Sequence, residues 1–175
     1  MTGPSQISLY QCSIDLPDAE ATAQLGAHLA RLLQPGDCLL LSGPIGAGKS
    51  HLARAAIRCL MEENGEASED IPSPTYTLVQ TYPAGDTELW HADLFRLTDP
   101  SEVMELGLDE GLESGICFIE WPDRLGSEVP GDALTVELSD RGQGRRAVLR
   151  GPEIRWRNRL LRVENAMKGP DDTTG

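Results

Sequence analysis

The residues whose types and spacing point most directly to chemistry lie between positions 43 and 50. The run GPIGAGKS fits G-x-x-x-x-G-K-[ST], and it stands between an apolar strand-like run (38–43) and a stretch with helical character from about 49 to 61. Glycines let backbone N–H groups turn inward around phosphate oxygens, and the helix N-terminus adds its dipole. Lys49 then supplies a point charge for the β- and γ-phosphates, and the Ser50 hydroxyl is a ligand for Mg²⁺. The motif predicts a nucleoside triphosphate site.

Such a site needs an acid at the C-terminal end of a strand beside the loop, to hold Mg²⁺ directly or through water. Glu120 ends the run ICFIE and Asp93 ends ELWHAD, and either is also compatible with an ordinary surface acid. Thr75, in SPTYT, is placed like a switch threonine that senses the γ-phosphate, or it is an ordinary turn residue. How the two acids share the metal stays open at this point.

The base of the nucleotide is predicted to be adenine. Guanine-binding proteins of the common type carry N-K-x-D, whereas the three asparagines of this chain (Asn64, Asn158 and Asn165) are followed by Gly, Arg and Ala.

The elements that position these residues alternate between strands and helices. Alternation over 7–16 favours an edge strand, helical spacing follows at 18–33, and the wholly apolar runs 38–43 and 115–121 suit the middle of a parallel sheet. ALTVEL and RRAVLR, which flank SDRGQG, predict a hairpin. A length of 175 residues is enough for one domain with its own core.

Charge is distributed unevenly along the chain. The net charge is −13, from 28 acids and 15 bases, yet residues 141–162 hold eight arginines and one acid. That segment is either a solvated surface or a docking face for an acidic protein or RNA. We expect a direct role of tRNA to be opposed by the acidic remainder of the chain.

Cysteine and histidine usage argues against disulfides and zinc. The four cysteines form no C-x-x-C pair, and His28, His51 and His91 lack metal-ligand spacing, so buried free thiols in a reducing cytoplasm are expected. No charged-then-apolar leader and no apolar run near 18 residues is present, so neither export nor a membrane location is predicted.

Four segments together resemble one known family. GPIGAGKS, SPTYTLVQTY, LWHADLFRL and ICFIEWPDRLG occur in the order and spacing of the small bacterial ATPases of the TsaE (YjeE) type, which take part in making threonylcarbamoyladenosine in tRNA. The pattern T-x-x-L-G-x-x-L-A at 22–30 is also similar. The likeness covers roughly residues 7–150, and Ser50 stands where the family more commonly has threonine.

The resemblance implies an α/β fold of the P-loop NTPase type, with three layers and a central parallel sheet flanked by antiparallel strands. It implies ATP and Mg²⁺ as cofactors, catalytic roles for Lys49, Thr75, Asp93 and Glu120, and a metal held by Ser50, Glu120 and Asp93. The cofactor-binding set it implies is Thr22, Gly43, Gly46, Ala47, Gly48, Lys49, Ser50, His51, Trp121, Gly144 and Arg145, with Trp121 equally compatible with a core aromatic. The implied partners are the TsaD and TsaB proteins that transfer the threonylcarbamoyl group.

These features predict a P-loop ATPase domain over 1–155, a helical arginine-rich extension over 156–168 and a disordered tail over 169–175. The leading function is a weak ATPase that depends on partner proteins. Two alternatives remain from the sequence, a small-molecule kinase and a scaffold that binds ATP without hydrolysing it.

Overall fold

Seven strands, five α-helices and one 3₁₀-helix (Pro122–Glu128) are found in the part of the chain that the computed structural model describes, namely residues 6–68, 71–72, 74 and 77–169. The strands are β1 (Leu9–Leu16), β2 (Cys38–Ser42), β3 (Val79–Ala84), β4 (Thr87–Asp93), β5 (Ile116–Glu120), β6 (Leu134–Arg141) and β7 (Gly144–Pro152). The helices are α1 (Ala19–Ala30), α2 (Lys49–Glu63), α3 (Glu102–Glu105), α4 (Leu108–Ser114) and α5 (Glu153–Lys168). No helix in the described ranges is long and apolar enough to span a membrane.

All seven described strands belong to one sheet, in the order β1-β7-β6-β2-β5-β4-β3. The four central strands are parallel, since β2 pairs in parallel with both β5 and β6, and β4 with β5. The flanking strands β1, β7 and β3 join antiparallel. The predicted α/β fold with a parallel centre and antiparallel flanks is therefore confirmed.

The sheet separates two apolar cores, which makes three layers. Alternate residues of β2 point to opposite faces: Leu39 and Leu41 join the core under α1, α2 and α5, and Cys38 and Leu40 join the core under α3 and α4. A strand that is buried on both faces has no polar side to present, which explains the unbroken apolar run. The four cysteines are free, and burial raises the pKa of Cys12 and of Cys117 to about 12.

Helix α1 lies directly against the helix that follows the glycine-rich loop. Gly26 makes this close contact possible, because a Cβ at this position would stand 2.6 Å from the carbonyl oxygen of Leu52. The tight packing fixes α2 on the sheet, and with it the position of Lys49 and Ser50 at its first turn.

Helix α5 is part of the domain. The predicted boundary between 155 and 156 falls inside this helix, whose Trp156, Leu160 and Val163 are buried in the larger core. Positions 170–175 lie outside the described residues.

The arginines of 141–162 mostly pair with acids of the same chain. Six of the eight form ion pairs, namely Arg141, Arg145, Arg146, Arg155, Arg157 and Arg159. The tightest group surrounds Asp37, whose side chain is 0% exposed: Arg155 contacts one carboxylate oxygen and Arg159 the other, both at 2.6 Å. These contacts attach α5 to the turn before β2, and they favour a structural role for this part of the segment over a docking role.

Replacing Arg159 by methionine should lower the free energy of unfolding by about 2 kcal/mol, because a charge-assisted hydrogen bond to a buried carboxylate is lost. Methionine keeps the helix propensity. The matched control is Arg157→Met on the same helix, whose exposed pair with Glu153 is worth about 0.5 kcal/mol or less. Urea unfolding measures both, and equal losses would show that the Asp37 contacts do not attach the helix.

Candidate functional site

The loop from Gly43 to Ser50 curves tightly between β2 and α2. Gly43, Gly46 and Gly48 have φ values of +139°, +82° and +104°, which side-chain-bearing residues rarely adopt. A Cβ on Gly43 would also collide with the carbonyl oxygen of Leu138 in β6. The first N–H groups of α2 have no acceptor within the helix, so the loop ends in donors that suit an anion.

Lys49 folds back onto this loop. Its Nζ donates to the carbonyl oxygens of Gly43 and Pro44 at 2.7 and 2.9 Å, and it lies 4.4 Å from the centroid of the Trp121 ring. Burial lowers the pKa of the ammonium, and the carboxylates of Glu120 and Asp93 act in the opposite direction. The side chain thus holds a positive charge inside the loop, on weak neutral partners that an anion can replace.

Ser50, Glu120 and His91 form a short hydrogen-bonded chain. Ser50 Oγ donates to Glu120 Oε1 at 2.7 Å, and His91 Nε2 lies 2.7 Å from Glu120 Oε2. Glu120 is buried at 3% exposure and stands beside Asp93 in the register of β4 and β5. Asp93 accepts from the N–H of Phe95 at 3.1 Å, so its carboxylate closes the turn that follows β4.

A cavity of about 410 Å³ lies over these groups. Its walls carry the Lys49 ammonium, a hydroxyl and two carboxylates, together with aromatic rings and two further basic side chains, His51 and Arg54. The lining residues are Ile45, Gly46, Gly48, Lys49, Ser50, His51, Arg54, Asp93, Phe95, Glu120 and Trp121. Four of the residues predicted for metal binding or catalysis (Lys49, Ser50, Asp93 and Glu120) are therefore brought together.

The donor set at this cavity fits Mg²⁺ and a phosphate chain. A hydroxyl and carboxylates are hard oxygen ligands, and Mg²⁺ usually takes only one or two from the protein and keeps water and phosphate oxygens for the rest. The described residues contain no cluster of three or more His, Cys, Asp or Glu side chains that could hold a metal.

Trp121 lines the cavity beside Lys49 and Phe95, and it also packs against the smaller core. Its backbone is left-handed at φ +59°, a strained conformation for a bulky residue, and its ring packs on Phe95 with 4.9 Å between centroids. The ring lies 4.4 Å from the Lys49 ammonium, measured to its centroid. The sequence left both interpretations open, and the contact with Lys49 connects the residue to the cavity.

A second cavity of about 210 Å³ adjoins the same loop. Its lining includes members of the predicted cofactor-binding set, among them Thr22, Ala47, His51, Gly144 and Arg145. His51 borders both cavities. Arg145 Nη2 donates to Gly46 O at 3.2 Å. The ring of His51 contacts the carbonyl oxygen of Ala19 at 2.9 Å, which joins the first turn of α2 to the start of α1.

The switch prediction cannot be placed, because Thr75, Ser73 and Tyr76 lie outside the described residues. Residues at the site that the sequence interpretation did not assign to it include His91 and Arg54. His91 alternates with Asp93 in β4, and this period of two puts both on one face of the sheet. Arg54 follows Ser50 by four residues in α2, a spacing that puts both on one side of the helix.

Known proteins resemble this chain in sequence and in fold. Proteins named "tRNA threonylcarbamoyladenosine biosynthesis protein TsaE" include one from Rickettsia conorii, 41% identical over 62% of this chain and 59% of its own length. Another, from Bacillus subtilis, is 31% identical over 78% of this chain and 80% of its own length. The chain spans about three fifths of the length of the Rickettsia conorii relative.

The crystal structure of Bacillus subtilis YdiB covers 91% of the chain and 97% of its own length with a TM-score of 0.73, at 23% identity, which supports the fold. The family model "Threonylcarbamoyl adenosine biosynthesis protein TsaE" matches residues 16–148, a range that contains the loop, both strand-end acids and the lining of both cavities. On this match, the chain belongs to the TsaE family.

Proposed function

We propose that this chain is a Mg²⁺-dependent ATP-binding protein that hydrolyses ATP slowly and serves the threonylcarbamoyladenosine modification of tRNA. In this proposal, ATP binding and hydrolysis cycle the protein on and off a TsaB–TsaD transferase pair. Membership of the TsaE family supports a role in this modification, because the family and the relatives are named for threonylcarbamoyladenosine biosynthesis.

The observation that carries the proposal is the contact between Ser50 Oγ and Glu120 Oε1 beside the Lys49 ammonium. A hydroxyl at the start of a helix and a carboxylate at the end of the adjacent parallel strand meet at 2.7 Å, over a loop with N–H donors. This combination has a direct use in holding a phosphate chain with its metal, and an ordinary surface acid would not be buried there.

Each residue then has a defined task. Lys49 leaves its carbonyl partners and turns its ammonium to the β- and γ-phosphate oxygens, while the glycine loop donates N–H groups. Ser50 and Glu120 offer oxygen ligands to the metal, and Asp93, which closes the neighbouring turn, orients water at the same edge. Mg²⁺ would neutralise charge that develops on the phosphate oxygens.

Dependence on partners is supported by the rim of the cavity. Ile45 and Phe95 are exposed large apolar side chains at its edge, a feature typical of surfaces that bind proteins. A direct contact with tRNA is not favoured, because the net charge is −13 and six of the eight clustered arginines are paired within the chain. A cytoplasmic location stays a prediction.

ATP hydrolysis should be slow for the isolated chain and severalfold faster when a TsaB–TsaD pair is added, because the partners complete the site. Phosphate release in the two conditions measures this. An absence of hydrolysis in both would favour the scaffold alternative, and ATP consumption that requires a hydroxyl acceptor would favour the kinase alternative.

Lys49→Ala should weaken the affinity for ATP about 10- to 100-fold, since a charge-assisted contact to phosphate worth about 1.5–3 kcal/mol is lost. Calorimetric titration of the folded variant with ATP measures the change. Lys168→Ala, which removes the other lysine of the sequence at the end of α5, is the control and should bind ATP normally. Equal affinity in all three proteins would contradict the assignment of the loop.

Glu120→Gln should remove the tightening of nucleotide binding by Mg²⁺, while binding in the presence of EDTA persists. Asp93→Asn should keep most of that Mg²⁺ effect and lower turnover, because Asp93 contacts a backbone N–H and not Ser50. Titrations with and without Mg²⁺, combined with turnover in the presence of the partner pair, test both variants. The opposite pattern would mean that Asp93 is the main metal ligand.

A further inference from the structure

His91 lies at the centre of the sheet next to the site and has no role in the proposed function so far. It sits on β4, its residue is 0% exposed, and its Nε2 is 2.7 Å from Glu120 Oε2. Because an ionised carboxylate can only accept hydrogen bonds, Nε2 is the nitrogen that carries the hydrogen. Each oxygen of Glu120 thus accepts one hydrogen bond, Oε2 from His91 and Oε1 from Ser50.

A polar side chain is costly at this position. On the same face of the sheet, Asp93 and Glu120 lie toward the cavity, but the other neighbours are apolar: Leu89 precedes His91 by two residues on β4, and Phe118 is its register partner on β5. Nδ1 of His91 is buried and finds no hydrogen-bond partner within the described part of the chain. A leucine or phenylalanine would fill this place without that cost. The hydrogen bond to Glu120 therefore offsets part of the free-energy cost of burying the imidazole.

That contact decides where the carboxylate of Glu120 points. Glutamate has three side-chain torsions, and a single hydrogen bond from Ser50 leaves the other oxygen free to rotate out of place. Two donors on opposite sides, one from α2 and one from β4, fix the plane of the carboxylate. Oxygen ligands of metals are commonly held by such outer hydrogen bonds, and losing one typically costs about 10- to 100-fold in metal affinity.

We propose that His91 is a positioning residue that holds Glu120 Oε1 toward Ser50 and the cavity, and thereby sets the affinity of the site for Mg²⁺. The inference rests on the proposed function, since it needs Glu120 to act on the metal. It acts through Glu120 alone, because the ring of His91 is enclosed in the sheet and is not among the residues that line the cavity.

The test compares His91→Leu with His91→Gln in the full chain. The amide of glutamine can place a donor where Nε2 stands, whereas leucine fills the volume without a donor. Calorimetry measures binding of a non-hydrolysable ATP analogue over a series of Mg²⁺ concentrations and in EDTA. For His91→Leu we expect the Mg²⁺ concentration of half-maximal effect to rise about 10- to 100-fold, while the affinity in EDTA stays unchanged. For His91→Gln we expect that Mg²⁺ concentration to return most of the way to the value of the natural chain.

Two controls separate positioning from packing. Phe118→Leu disturbs the core beside His91 and should lower the melting temperature without moving the Mg²⁺ dependence. In a Glu120→Gln background, His91→Leu should have no further effect on Mg²⁺ dependence, because the carboxylate it positions is already altered. If His91→Leu does not fold, His91→Asn replaces it, since the shorter amide does not reach Glu120.

The outcomes distinguish this inference from the proposed function. A folded His91→Leu or His91→Asn protein with the Mg²⁺ dependence of the natural chain would overturn the role of His91. A natural chain whose nucleotide binding does not respond to Mg²⁺ would overturn the proposed function itself. Loss of Mg²⁺ dependence in His91→Leu that His91→Gln does not restore would also overturn the inference, since a donor at the Nε2 position would then not be what matters.

Discussion

The arrangement of the site depends on one buried carboxylate, that of Glu120. A charge removed from water costs several kcal/mol unless hydrogen bonds compensate for it, and here one donor comes from α2 and another from β4. Glu120 itself ends β5, which lies between β2 and β4 in the sheet. Three consecutive strands and the helix after the loop must therefore be in register before the carboxylate is satisfied, so the interaction connects the order of the sheet to the geometry of the cavity.

The glycine-rich loop carries a second constraint, which is steric. Gly43 leaves no space for a Cβ against Leu138 of β6, and Lys49 donates hydrogen bonds to the carbonyl oxygens of Gly43 and Pro44. The loop is thus in close contact with β6 and is bonded to its own lysine. Two cavities share it, with His51 between them, so a displacement of the loop changes both at once.

Much of this structure could be predicted from residues whose requirements are local. The apolar runs of β2 and β5 need burial on both faces, and Gly142, at φ +59° in the two-residue turn of β6 and β7, favours a hairpin. The contacts of His91 and of α5 could not be predicted in the same way, because each contact joins residues that are distant in sequence. His91 contacts Glu120, 29 residues away, and Arg159 contacts Asp37, 122 residues away. The number of arginines in the segment is evident from the sequence, but the sequence does not show that two of them contact the buried Asp37.

The sheet order has a consequence for how the chain is made. Among the described strands, β1 is synthesised before the others and its partner β7 after them, with Leu9 opposite Pro152 and Leu16 opposite Arg145. At roughly 5–20 residues per second of translation, β1 waits on the order of 10 s for that partner, with Ile14 and Leu16 not yet covered by it. The second cavity needs residues from both ends, since Leu16 and Arg145 line it together. A ligand that stabilises the fold through this cavity can therefore act only after β7 has been synthesised, and any folding before that point proceeds without its help.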